Sequence, residues 1–149
     1  MRLGHLTLAL VAISVCQPGL ADDTPPANEK KVLFVAAKID KLEADHYLWA
    51  AEMAALRLKG PGKVLPGGLE AALKVALEHP ESVRGIVEIM VDVYSWREEV
   101  RITCFNAKGK SLWKEKAVMN TGGSEESLAR RMVERAIKKA EDRPACGSQ

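Results

Sequence analysis

Arg84 to Met119 reads RGIVEIMVDVYSWREEVRITCFNAKGKSLWKEKAVM. Its apolar and polar residues alternate as in three antiparallel strands joined by two tight turns. On the first strand, Ile86–Tyr94, Val87, Ile89, Val91 and Val93 share one face, and Glu88, Met90, Asp92 and Tyr94 share the other. On the second, Glu99–Asn106, Val100, Ile102 and Cys104 oppose Arg101, Thr103 and Phe105. A loop centred on Trp96-Arg97 predicts the pairs Val93–Val100, Val91–Ile102 and Ile89–Cys104, and sets Asp92 opposite Arg101. Asn106-Ala107-Lys108-Gly109-Lys110 fits a three-residue hairpin loop with Gly109 left-handed. That loop predicts Cys104 opposite Leu112, Thr103 opposite Trp113 and Arg101 opposite Glu115, giving an Asp92–Arg101–Glu115 row of alternating charge. Lys114 and Lys116 are then expected on the core side of an edge strand, where lysines discourage further pairing.

Upstream, KVLFVAAKI (Lys31 to Ile39) is almost continuously apolar and predicts a buried central strand. Asp40 is the expected N-cap of a helix from Lys41 to about Lys59, with Glu43 completing an acidic capping box. Leu42, Trp49, Met53 and Leu56 fall at helical spacing, widened by Leu48, Ala51, Ala55 and Leu58. Gly60-Pro61-Gly62 ends that helix, and Lys63–Leu65 is a short strand at most. Leu69 to His79 is a second helix, with a stripe of Leu69, Leu73 and Ala76 or Leu77, stopped by Pro80. Downstream, Ser124 caps a third helix whose stripe is Leu128, Met132, Ala136 and Ala140, widened by Val133 and Ile137. The expected fold is α/β of the α+β type, a mainly antiparallel sheet with helices packed on it, in the order β-α-(β)-α-β-β-β-α.

The ends set the compartment. Arg2, the apolar run Leu6–Val15 and Gly19-Leu20-Ala21 make residues 1–21 a secretory signal peptide. Ile13-Ser14-Val15-Cys16 offers a rival lipid-anchor site at Cys16, for which Val15 is a poor fit, so cleavage after Ala21 is preferred. Removing the first 21 of 149 residues leaves 128, enough for one domain with its own core. Residues 22–30 read as a flexible tether, 31–142 as a single domain and 143–149 as a C-terminal tail. The mature chain contains no run long enough for a transmembrane helix. The expected location is exported, in the bacterial periplasm or associated with the outer membrane. There, an oxidising compartment makes a disulfide between the two remaining cysteines, Cys104 and Cys146, slightly favoured over a buried thiol and a free tail thiol.

Charge and motifs exclude more than they assign. Loss of Arg2 from 22 basic residues against 20 acids leaves a net charge near +1, which argues for neither nucleic acid nor an anionic membrane. The basic face of the last helix, Arg130 to Lys139, lacks the aromatic residues of a single-strand binder and reads as solvated. His46 and His79 have no ligand partners at metal-binding spacing, and no catalytic or cofactor motif is present. Cys104 on a core face has no neighbouring base. The candidate binding surface is the second sheet face, with Met90, Thr103 and Trp113 in one row and Phe105 beside it. The competing expectation is that a helix covers this face.

The strand GIVEIMVDVYSW after the helix LEAALKVAL, then VRITCFNAKGKSLWKEK with its Gly-x-x-Leu-Trp end at Gly109 to Trp113, resembles small bacterial envelope domains. Curli-secretion lipoproteins and similar exported proteins are of this type. The resemblance implies a domain that assembles or binds at the envelope without catalysis, in which Leu112 and Trp113 are structural. The sequence is thus read as a binding module for an envelope protein or for another copy of itself. A periplasmic carrier of a small apolar ligand is the alternative, and an enzyme the third choice.

Overall fold

The structure, a computed structural model, describes residues 29–37, 39, 42–93, 98–119 and 125–148. The signal peptide, most of the tether, Asp40, Tyr94, Trp96 and Ser124 lie outside the described residues. Five strands form one sheet: β1 (Lys31–Ala36), β2 (Gly62–Val64), β3 (Val83–Val93), β4 (Glu98–Asn106) and β5 (Ser111–Met119). The helices are α1 (Leu48–Arg57), preceded by a 3-10 turn at Ala44–Tyr47, then α2 (Gly68–Glu78) and α3 (Glu125–Ala140). The element order is the one expected.

The sheet runs β2-β1-β3-β4-β5, and it is mixed, which corrects the expectation of a mainly antiparallel sheet. β1 pairs parallel with both β2 and β3, while the meander β3-β4-β5 is antiparallel and supplies the longer ladders. The cause is connectivity: α1 and α2 each carry the chain back across the sheet, so the strands they join run the same way. β1, flanked on both sides and covered on both faces, is the buried central strand its composition predicts.

The meander keeps its faces but not its register. β3 and β4 pair as Val91–Val100, Ile89–Ile102 and Val87–Cys104, two residues from the expected alignment. A two-residue slip leaves every side chain on its original face, so the valine and isoleucine core survives. Asp92 faces Glu99 instead of Arg101, and Met90 faces Arg101. The next hairpin forms as expected: Gly109 has φ +81°, and its N–H donates to the Asn106 carbonyl at 3.0 Å. The Asn106 side-chain oxygen accepts from the N–H groups of Lys108 and Lys110 at 3.0 and 2.9 Å.

Just beyond that loop comes a bulge. Phe105 pairs with Ser111, but Cys104 pairs with Trp113, leaving Leu112 as the extra residue. From there β5 is turned over relative to expectation. Trp113 joins the Cys104 face, Glu115 faces Ile102, and Ala117 faces Val100. Lys114 and Lys116 therefore lie on the outer face, not on the core side, and the Asp92–Arg101–Glu115 row does not form. A buried lysine costs far more than one hairpin bulge, so the strand's own alternation prevails over the turn's register.

Two cores result. The larger lies between the sheet and α1 with α3, around Phe34, Ile89, Ile102, Met132 and Ile137. The smaller lies between α2 and Leu33, Val35, Val83 and Ile86. The α3 stripe is buried as expected, from Leu128 through Ala140. On α1 the buried face is Ala50, Ala51 and Ala54, whereas Leu56 is 87% exposed. The small alanines let the helix lie close on β1, and that proximity outweighs burial of the leucine. The C-terminal tail crosses the end of the sheet, where Cys146 is bonded to Cys104 with Cα atoms 5.7 Å apart. Gly85 makes room for it, because a Cβ there would lie 3.0 Å from the Cys146 sulfur and 2.9 Å from the Phe105 oxygen.

Candidate functional site

The two faces of the sheet are covered unequally. α1 covers β1 and β2 on one face, and α3 covers β4 and β5 on the same face. On the other face α2 packs on β1 and β3. The outer side of β4 and β5, with the distal half of β3, is left without a helix among the described residues. Side chains there are Glu88, Met90 and Asp92 from β3, Arg101 and Thr103 from β4, and Lys116 and Val118 from β5.

Arg101 organises this face. Its guanidinium donates to Asp92 at 2.7 Å and lies 3.3 Å from Glu99, while Lys116 reaches the other Glu99 oxygen at 3.0 Å. Met90 sulfur lies 3.5 Å from the same guanidinium. The carboxylates are mostly shielded, 16% exposed for Asp92 and 12% for Glu99, so these pairs are less screened by solvent than ordinary surface pairs. Val118 remains 38% exposed at the β5 end.

Glu88 stands apart from that network. Burial pushes its carboxyl above the ordinary value of 4.5, and the charges of Arg101 and Lys114 only partly offset this. The native state then binds the Glu88 proton more tightly than the unfolded chain. Its stability should fall as pH rises through 4.5 toward the raised native value. Glu88→Gln is therefore expected to raise the melting temperature at neutral pH, with the gap to the parent closing as pH falls below 4.5. Parallel melting curves at pH 4 and pH 7 check this; an unchanged gap would contradict it.

Of the four residues singled out by sequence, only Met90 and Thr103 lie together on this open face. Phe105 packs at the edge of the α2 core. Trp113, turned over by the bulge, packs against the larger core, and its indole N–H is buried without a hydrogen-bond partner among the described residues. Sequence alone does not gather Arg101, Glu99 and Lys116 into one cluster, because the turn's register sets Glu115, and not Lys116, opposite Arg101. The alternation of Lys114 and Lys116 with Ala117 was the available signal.

Elsewhere the chemistry is sparse. His46 is exposed with its ring edge-on to Tyr47 at 4.8 Å, and His79 lies 3.6 Å from Glu81. Among the described residues no three metal-binding side chains gather. The cavity reaching into the main core beside Cys146 and Trp113 holds only about 10 Å³. Larger hollows of about 490, 610 and 500 Å³ open at the surface. No helix among the described residues is long and apolar enough to cross a membrane.

Fold and surface together define a three-layer α+β domain with one half-open sheet face. No family model and no curated protein sequence matches the chain. Among solved structures it is similar to the PelC subunit of Paraburkholderia phytofirmans, crystallised as a dodecamer. The TM-score is 0.52 at 15% identity, over 78% of this chain and 89% of that one. A variant PelC dodecamer from the same organism gives 0.53 at 14% identity, over 78% and 89%. Lipoprotein GNA1162 from Neisseria meningitidis gives 0.44 at 15% identity, over 76% and 96%. At these identities the PelC likeness is one of fold, and it agrees loosely with the resemblance to small bacterial exported domains.

Proposed function

We propose that the chain is an exported, non-catalytic protein of the bacterial cell envelope that acts as an assembly module by associating with further copies of itself. The observation that carries this reading is the half-open sheet. β1 and the first half of β3 are sandwiched between helices, whereas the outer side of β4 and β5 presents Met90, Val118 and an organised Arg101 cluster with no helix over it among the described residues. Of the surface expected from sequence Met90 remains, partly exposed, with Thr103 beside it but buried, and Trp113 packs against the core behind it.

Three further observations support the reading. PelC, which shares the fold, forms a dodecamer. Closed assemblies of identical subunits are built from self-complementary or head-to-tail contacts, the latter joining two different patches on each subunit. The Cys104–Cys146 bond suits an oxidising compartment, as the signal peptide ending at Ala21 requires. The resemblance to curli-secretion lipoproteins also points to envelope assembly.

Lys116→Glu combined with Val118→Glu tests the surface, because both side chains are exposed and neither supports the core. The pair is expected to reduce the oligomer seen by native mass spectrometry to monomer with an unchanged circular dichroism spectrum, the lost Lys116–Glu99 pair lowering the melting temperature by only a few degrees. An oligomer that survives both substitutions would remove this face from the interface.

A further inference from the structure

The molecule is electrostatically lopsided along its strands. β2 and β3 both run parallel to β1, so α1 and α2 finish at the end where those three strands begin. Asn106 pairs with Gly85, which brings the β4–β5 hairpin loop to that same end. Lys30, Lys59, Lys63, Lys108 and Lys110 are gathered there, all exposed and none in an ion pair with a described residue. Of the acids at this end, Glu78 lies 4.0 Å from Lys74, Glu81 lies 3.6 Å from His79 and Glu141 lies 2.7 Å from Arg57, which leaves Glu29 beside Lys30 and Asp142 past the end of α3 against these five lysines. Glu43, Asp45, Asp92 and Glu99 lie toward the opposite end. The near-neutral net charge thus conceals a basic end.

The same end carries the two most exposed large hydrophobics among the described residues. Leu56 is 87% exposed and Leu77 is 74% exposed, against 36% for Leu42 and 38% for Val118. Each of the two leucines stands one residue before the last residue of its helix. Beside Leu77 a hollow of about 490 Å³ opens over Pro80, Val83 and Ala107, with Lys30, Arg84 and Lys108 in its lining and no acid.

We infer that this end docks on an anionic lipid surface. Single exposed leucines are ordinary, but here two stand at the ends of helices on opposite faces of the sheet, within a field of unpaired lysines. Protruding leucines enter the acyl boundary while lysines meet lipid phosphates, which is the pattern of interfacial membrane binding. The negative dipole ends of α1 and α2 point the same way, so the attraction comes from side chains. This surface is distinct from the open face of β4 and β5, and the inference does not depend on self-association.

The test is vesicle flotation with the chain beginning at Asp22, which retains every described element. Vesicles of phosphatidylcholine with phosphatidylglycerol should carry the protein at low salt, and pure phosphatidylcholine vesicles should not. Leu56→Ser with Leu77→Ser should weaken binding at least about tenfold, and Lys59→Glu with Lys63→Glu and Lys108→Glu roughly a hundredfold. Val118→Ser should leave it unchanged. The inference is overturned by equal binding to both vesicle types, by no binding to either, or by variants that bind like the parent. It is also overturned if the leucine variant changes the oligomeric mass without changing vesicle binding, which would make this end a contact between copies. None of these outcomes bears on the open sheet face.

Discussion

Breaking the Cys104–Cys146 bond should cost the domain about 3–4 kcal/mol and lower its melting temperature by roughly 10–20 °C. The bond spans 42 residues, so its loss releases a long loop in the unfolded chain. It also frees the tail, leaving Arg143 paired with Glu115 and Arg84 donating to the Cys146 carbonyl at 3.1 Å. Both cysteines are buried, at 0% and 3% exposure, so reduction of the native protein should require opening of the tail first. Denaturant midpoints of oxidised protein, reduced protein and Cys146→Ser measure the effect. The latter two should coincide well below the first, and three equal midpoints would contradict the account.

Ile102→Ala should cost about 2–5 kcal/mol, since the side chain is fully buried in the middle strand of the meander. It faces Ile89 on β3 and lies in the core that α3 closes with Met132 and Ile137. Leu56→Ala, at an 87% exposed position, should change stability by less than about 0.5 kcal/mol. Chemical denaturation of both variants gives the comparison. A large loss at Leu56 would show that α1 buries the leucine stripe read from its sequence and not the alanines.

Those two residues mark what was legible in the chain. Strand identity and the sidedness of β3 and β4 follow from two-residue alternation, so Ile102 is recognisable as core even with its partner misassigned. A slip of two residues changes no face and leaves no trace in the pattern. The bulge at Leu112 is different: it is one residue, it turns β5 over, and it moved Trp113 from the proposed surface into the core. Leu56 is exposed where spacing predicts it buried, because spacing alone favours the largest apolar side chains, whereas the close approach of α1 to β1 favours Ala50, Ala51 and Ala54. The parallel pairing of β1 depends on where the crossover helices return, which no local pattern records. The basic end was likewise hidden, because composition sums charges that the fold separates.

Sedimentation velocity of the chain from Asp22 onward, from about 1 to 100 µM, tests the assembly reading most directly. The account predicts a discrete species heavier than the monomer, lost when Lys116 and Val118 are both replaced by Glu. A single monomeric boundary across that whole range would contradict it.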